Sequence, residues 1–224
     1  KAEVDLAVAA ARAALKGPWG TLPMAERMDL LMKLAAGIQA RAEEFAQAEV
    51  ADNGMGISLA RHVNIPRGSA NFVQFAEHFK YVATECWEME GALNYALRRP
   101  LGVVGIISPW NFPLLLTTWK VAPALACGNT VIIKPSEETP ATTALLADVA
   151  KDILPPGVLN VVHGFGADSA GAALTEHPDV DGVTFTGLFG DDAINQAIQR
   201  RASSNERIIF NGVKFYADDA FVSL

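Results

Sequence analysis

Apolar positions recur along the first eighty residues at three- and four-residue spacing, the period of an amphipathic helix. In "AEVDLAVAAARAAL" the positions Val4, Leu6, Ala7, Ala11 and Leu15 fall roughly on one side, and "GPWG" ends the run. "MAERMDLLMKLAAGIQARAEEFAQAEV" repeats Met28, Leu31, Leu34, Ile38 and Phe45, which predicts one amphipathic helix. A third helix is predicted from about Gly68 to Tyr81, after the breaker "IPRG". "GALNYALRRP" then alternates apolar and polar positions, as a partly exposed strand does. From Leu101 the rhythm changes. "LGVVGIIS", "NTVIIKP", "GVLNVVHG" and "DGVTFTG" are short continuous apolar runs, each ended by Gly, Pro or a polar turn. Helix-like stretches lie between them, and Thr139-Pro140 offers one of these a hydroxyl cap with Pro at the first helical position. "RIIFNG" is a candidate fifth strand. Strands buried on both faces and alternating with helices predict an α/β fold: an open parallel sheet with flanking helices, preceded by a helical segment.

Composition narrows the function. The chain has 224 residues, 50% of them hydrophobic, enough for a large core. Lys and Arg number 18 against 25 Asp and Glu, for a formal charge of -7. An acidic chain without a basic cluster argues against a nucleic-acid partner. The apolar runs are too short to span a membrane, and without a leader the expected location is cytoplasmic. The chain opens on Lys1 inside a predicted helix, as a fragment would. Cys86 and Cys127 are the only cysteines. Neither has a C-x-x-C partner or a neighbouring His, so both read as reduced, inert packing residues, and the four scattered His form no metal set.

In open parallel sheets ligands gather at the carboxyl ends of the strands, so the residues just after each run carry the interest. After the first come Trp110 and Asn111, between Pro109 and Pro113, which stiffen the loop. A stiff loop can hold the Asn111 amide as a preorganised donor for a developing oxyanion. Alternatively, Asn111 bonds only the backbone of its own turn. After the second run, in "KPSEE", Lys134 can approach a ribose or phosphate, and Glu137 can accept from both hydroxyls of a ribose. An acid at that place disfavours a 2′-phosphate, which points to NAD rather than NADP. The competing reading makes both solvated charges ahead of a helix. After the third run, Gly164 and Gly166 allow close backbone approach, but the spacing does not complete G-x-G-x-x-G, and His163 reads as a strand-end core residue. After the fourth, Phe185, Thr186 and Gly187 precede a helix start that could seat a pyrophosphate, although Asp191 and Asp192 would repel one.

Together, "PLGVVGIISPWNFPLLLTTWKVAPALACGNTVIIKPSEETPATTALLADV" and the following "FTG" resemble the NAD(P)-dependent aldehyde dehydrogenase superfamily. "HVNIPRGSANFVQFAEHF", "GALNYALRRPLGV" and "NVVHGFGADSAGAALTEHPDV" look most like its 2-hydroxymuconate and 2-aminomuconate semialdehyde members, enzymes of aromatic-ring breakdown. The resemblance implies a Rossmann-like dinucleotide-binding domain over 101–212, N-terminal helices over 1–85, partial oligomerisation strands over 86–100 and a divergent tail over 213–224. It implies Asn111 as an oxyanion-hole donor, and Ile107 and Trp110 on the nicotinamide side. Lys134 and Glu137, in the turn with Pro135 and Ser136, would hold the adenosine ribose. Gly166 would lie against the adenine-side helix, with Phe185, Thr186 and Gly187 at the pyrophosphate. The implied partners are a small-molecule aldehyde and further copies of the chain. The family reaction runs from thiolate attack on the aldehyde, through hydride transfer to NAD, to hydrolysis of a thioester by a Glu-activated water. Here the chain departs from the pattern. Leu188 stands where the family carries a small polar residue, and Ile209 falls on the general base. The nucleophilic Cys and the catalytic domain are absent from the 224 residues, as in a truncated or frameshifted gene. A non-catalytic dinucleotide-binding or assembly module is the rival expectation.

Overall fold

The computed structural model describes residues 1–166 and 169–186. Two stacked helical layers enclose a parallel sheet. The chain begins with α1 (Ala2–Lys16), α2 (Pro18–Thr21), α3 (Met24–Ala40) and α4 (Ala42–Asn53). A short α5 (Ile57–Leu59) leads through a π turn (Ala60–Asn64) into α6 (Ile65–Phe79). An antiparallel pair follows, β1 (Cys86–Met89) and β2 (Ala92–Tyr95). The rest is β3 (Val103–Ile107), α7 (Pro113–Ala126), β4 (Thr130–Lys134), α8 (Ala141–Ala150), β5 (Leu159–Val161), α9 (Ala170–Glu176) and β6 (Gly182–Phe185). Among the described residues the main sheet has the order β5-β4-β3-β6, with every pair parallel. The α/β architecture read from the apolar runs is therefore present, and "RIIFNG" lies outside the described residues.

Side-chain alternation explains why each face of the sheet needs its own cover. Val104, Ile106, Val131 and Ile133 join a core with α3, α4, α6, α7 and α8. Val103, Ile107 and Ile132 face the other way, into a core with Val4, Val8 and Ala11 of α1 and Leu174 of α9. A parallel strand buried on both faces reads as an unbroken apolar run for this reason.

Several local expectations shift. Leu6, placed on the buried side, is 71% exposed; the buried stripe of α1 is Val4, Val8, Ala11 and Ala14, a stricter helical spacing. The helix expected to hold both Met28 and Phe45 breaks at Arg41 (φ -113°, ψ 20°), so Phe45 belongs to α4. Pro66 opens α6 instead of breaking it, because a first-turn N–H has no intrahelical partner to lose. Thr139 does not cap α8: Pro140 holds the cap position, and Thr139 Oγ1 is buried without a partner. The Ala141 N–H donates instead to Asp52 Oδ2 of α4, at 2.8 Å. A carboxylate satisfies a helix start more strongly than a hydroxyl does.

Candidate functional site

The carboxyl ends of β3, β4 and β6 finish level. Ile107 pairs with Lys134 on one side and with Phe185 on the other. The row is tied off by the Ser108 N–H donating to the Lys134 carbonyl at 3.2 Å and the Thr186 N–H donating to the Ile107 carbonyl at 3.1 Å. At this end of the sheet β3 leaves for α7 on one face, whereas β5, at the sheet edge, leaves for α9 on the other, so the connections diverge. That divergence opens a crevice of the kind that takes ligands in open α/β sheets. Ser108 Oγ is buried at the row and has no hydrogen-bond partner.

Trp110 and Asn111 overhang the crevice from the β3–α7 loop. The Asn111 side chain does bond its own turn, since the Phe112 N–H donates to Oδ1 at 3.1 Å. That bond also fixes which end of the amide is left over. Nδ2 has no hydrogen-bond partner among the described residues, so a donor stands ready on a stiff loop. The acceptor of Asn111 thus serves its turn, as one of the two readings expects, and that bond leaves the amide N–H groups unengaged among the described residues. Trp110 is 48% exposed and Ile107 is buried.

On the next strand Lys134 is buried, and its Nζ lies 2.8 Å from Glu137 Oε2. Burial pushes the Glu137 carboxyl up, but the Lys134 hydrogen bond and a backbone N–H outweigh it and hold the group below its ordinary value. The Glu137 side chain remains 34% exposed. An ionised, reachable carboxylate braced by a buried cation suits the diol of a ribose. Pro135 is buried, and Ser136 bonds within the turn: its Oγ accepts from the Glu138 N–H at 3.3 Å. Gly166 lies beyond β5 at the sheet edge, where its carbonyl accepts from the Ala172 N–H of α9 at 2.9 Å. His163, expected in the core, is exposed, because β5 ends at Val161 and the chain has already turned outward. Gly187, Leu188, Asp191, Asp192 and Ile209 lie outside the described residues. Among the described residues there is no group of three metal-ligating side chains and no helix long and apolar enough to cross a membrane.

Neither cysteine is packed as expected. Cys86 is exposed on β1. Cys127 is also exposed, just past the end of α7, where burial nonetheless pushes its thiol up against the pull of Arg27 and Arg98. It precedes β4 and so stands at the opposite end of the sheet from Asn111.

The structure adds ionisable groups that motif reading passed over. Lys120, buried in α7, donates to Thr184 Oγ1 of β6 at 2.8 Å, and burial lowers it to about 8. Glu49 of α4 is fully buried. A charge inside an apolar helical stripe was the available signal: "LLLTTWKVAPALA" for Lys120, and the spacing Phe45, Ala46, Glu49 for the carboxylate.

A family model described as "Aldehyde dehydrogenase family" matches residues 1–211. The chain belongs to the aldehyde dehydrogenase family. It is 60% identical over 213 residues to the 2-hydroxymuconic semialdehyde dehydrogenase of Pseudomonas sp. (strain CF600), covering 92% of this chain and 43% of that protein. It is 48% identical over 188 residues to the 2-aminomuconic semialdehyde dehydrogenase of Danio rerio, covering 83% of this chain and 38% of that one. Among solved structures, PnpE in complex with nicotinamide adenine dinucleotide matches with a TM-score of 0.86 at 43% identity, over 93% of this chain and 42% of that one. The NAD+ complex of the Bacillus cereus aldehyde dehydrogenase matches with a TM-score of 0.88 at 37% identity, over 93% of this chain and 43% of that one. This aldehyde dehydrogenase family chain thus spans about two fifths of the length of the relatives it matches.

Proposed function

We propose that these residues form the cofactor-binding portion of an NAD-dependent semialdehyde dehydrogenase. The observation that carries the reading is the row of strand ends at which the free Asn111 donor and the braced Lys134–Glu137 pair open on one crevice. Glu137 and Lys134 hold the adenosine ribose, with Pro135 and Ser136 shaping their turn. Ile107 and Trp110 wall the nicotinamide side, Gly166 backs the adenine side, and Phe185 to Gly187 border the phosphates. When bound, NAD supplies the hydride acceptor. The Asn111 amide donates to the substrate oxygen as negative charge builds on it, and the two prolines keep that donor in place without reorganisation. A 2′-phosphate would meet the ionised Glu137, which favours NAD over NADP.

The covalent step needs a thiolate near Asn111, and neither described cysteine supplies one. Cys127 stands at the far end of the sheet with a raised pKa, and Cys86 sits in the two-stranded ribbon. Residues 1–224 alone therefore bind cofactor without oxidising aldehyde. The ribbon is the place for a second copy: Trp87, Met89, Leu93 and Tyr95 are exposed on a two-stranded sheet that is marginal without a partner. We assign the chain to the cytoplasm as an enzyme of small molecules, and its net charge of -7 argues against a nucleic-acid partner.

Calorimetric titration tests the reading. NAD should bind, NADP about tenfold more weakly, and Glu137→Gln should narrow that gap. No heat with millimolar NAD would favour an assembly module instead. A spectrophotometric assay with a semialdehyde should show no NADH from residues 1–224, and turnover abolished by Cys127→Ser would overturn the assignment of the thiol.

A further inference from the structure

The last turn of α4 reaches three parts of the site at once. Asp52 takes the first N–H of α8. Asn53 Nδ2 donates to the Trp110 carbonyl over a long 3.5 Å, while its Oδ1 accepts from the Met55 N–H at 2.9 Å. Glu49, one turn earlier, points into the start of α7. There Pro113 supplies no N–H, Phe112 at the cap position makes no side-chain cap, and the Leu114 N–H lies close enough to stabilise the Glu49 charge. Asn64, at the end of the π turn, donates from Nδ2 to Glu49 Oε1 at 2.9 Å. Glu49 and Asn64 are both 0% exposed, and each retains an acceptor with no hydrogen-bond partner among the described residues, Oε2 and Oδ1.

A buried acid is an expensive way to fill a helical stripe. An apolar residue at position 49 would pack without desolvating a charge, so the carboxyl is placed for what it faces: the turn immediately after Asn111. We propose that Glu49 is a positioning residue for the Asn111 corner, its carboxyl set from another helix beside the Leu114 N–H in the first turn of α7, while Asn53 on the same helix restrains Trp110. The π turn belongs to the same device, because it delivers the Asn64 amide that holds Glu49 from behind. The proposal rests on the reading of Asn111 as the oxyanion donor, and it concerns how that donor is kept in register rather than what it does.

Burial, the Asp52 charge on α4, the Asn64 amide and the Leu114 N–H together put Glu49 at about 7, with burial the largest influence. Asp52 is the charged group acting on it from its own helix; the π turn presents the Asn64 amide and α7 a backbone N–H. Loss of the Glu49 proton near neutrality therefore changes the acceptor facing α7, and the change should reach Trp110.

The test uses the full chain labelled with 5-fluorotryptophan, with the Trp110 fluorine resonance assigned by Trp110→Phe, together with amide hydrogen exchange. In the wild type the Trp110 resonance should titrate with a midpoint near neutral pH, and in Glu49→Gln that titration should vanish. Glu49→Ala should speed exchange over residues 112–116 by about fivefold relative to α3, and Glu49→Gln, which keeps an acceptor oxygen, should restore most of the protection. Glu43→Gln, on the same helix but at the surface, should change neither readout. A Trp110 titration that persists in Glu49→Gln would overturn the proposal. So would exchange that rises equally in every helix of Glu49→Ala without recovery in Glu49→Gln, since that is the mark of a purely structural carboxyl. Failure of the wild type to bind NAD would sink the cofactor reading, and the fluorine and exchange results would still decide the role of Glu49.

Discussion

Removing one or the other member of the Lys134–Glu137 pair should have unequal consequences for stability and the same direction of effect on binding. The Lys134 side chain is 3% exposed and that of Glu137 34%, at a separation of 2.8 Å. In Glu137→Ala the ammonium keeps its burial and loses its carboxylate. Stranding one charge of an enclosed pair costs about 3–5 kcal/mol, and water reaching the open side of this pair reduces that to about 2 kcal/mol. In Lys134→Met the stranded partner is a carboxylate already partly in water, and methionine keeps most of the buried stem. Stability should then stay within about 1 kcal/mol of the wild type. The double variant should recover most of the loss seen in Glu137→Ala. With a urea slope of about 2 kcal/mol/M, the midpoint should fall by about 1 M in Glu137→Ala and by less than about half that in Lys134→Met. In the proposed reading each variant removes a ribose contact, so NAD affinity should drop in both. Equal midpoint losses in the two single variants, or a double variant no better than Glu137→Ala, would refute the argument from burial.

Gly102 has φ +133°, and a Cβ there would sit 1.9 Å from Asp181 Oδ2, which accepts the Val103 N–H at 2.7 Å. Gly102→Ala should cost about 3 kcal/mol or more in thermal or urea unfolding, and a change under about 1 kcal/mol would contradict the geometry. Lys120 falls to about 8 on burial, against about 10.4 in an unfolded chain. Between those values the unfolded state holds a proton that the folded state has released, so Lys120 makes stability rise with pH by up to about 1.4 kcal/mol per unit. Melting curves of Lys120→Met should lack that rise, and profiles that stay parallel to the wild type between pH of about 8 and 10 would show that Lys120 remains charged.

The parts of this fold that were legible share one property: their burial is decided by neighbours close in sequence or by a simple period. β3 and β4 read as strands because both faces are covered, so no polar position interrupts "VVGII" or "TVIIK". α1 read as a helix, although its buried stripe was misjudged at Leu6, since a 15-residue window of Ala and Val leaves the phase of the stripe poorly marked. Capping was the least legible. The hydroxyl of Thr139 was the local candidate for α8, but Asp52 lies 89 positions away in sequence and took the N–H. The site divides in the same way. Asn111 and the Lys134–Glu137 turn stood out because strand ends are where ligands meet an open sheet. Glu49 and Asn64 did not, because a carboxyl paired with an amide across 15 residues leaves only an odd polar position on each helix.

These caps constrain where a phosphate can be held. A helix start attracts anions through N–H groups that lack partners. At this edge of the sheet the donors are largely engaged by the protein itself. α7 begins with a proline and faces Glu49, and α8 is closed by Asp52. The first turn of α9 is closed by the Phe165 and Gly166 carbonyls, which accept from Gly171 and Ala172. Asp52 brings a carboxylate that would repel a phosphate as well as occupy its donor, and Glu49 is buried beside the start of α7. Among the described residues the helix starts at this edge thus keep few N–H groups for a phosphate, and the proposed ribose clamp of Lys134 and Glu137 stands apart from them. Affinity for NAD in this chain should accordingly be carried by Lys134 and Glu137 more than by its phosphates.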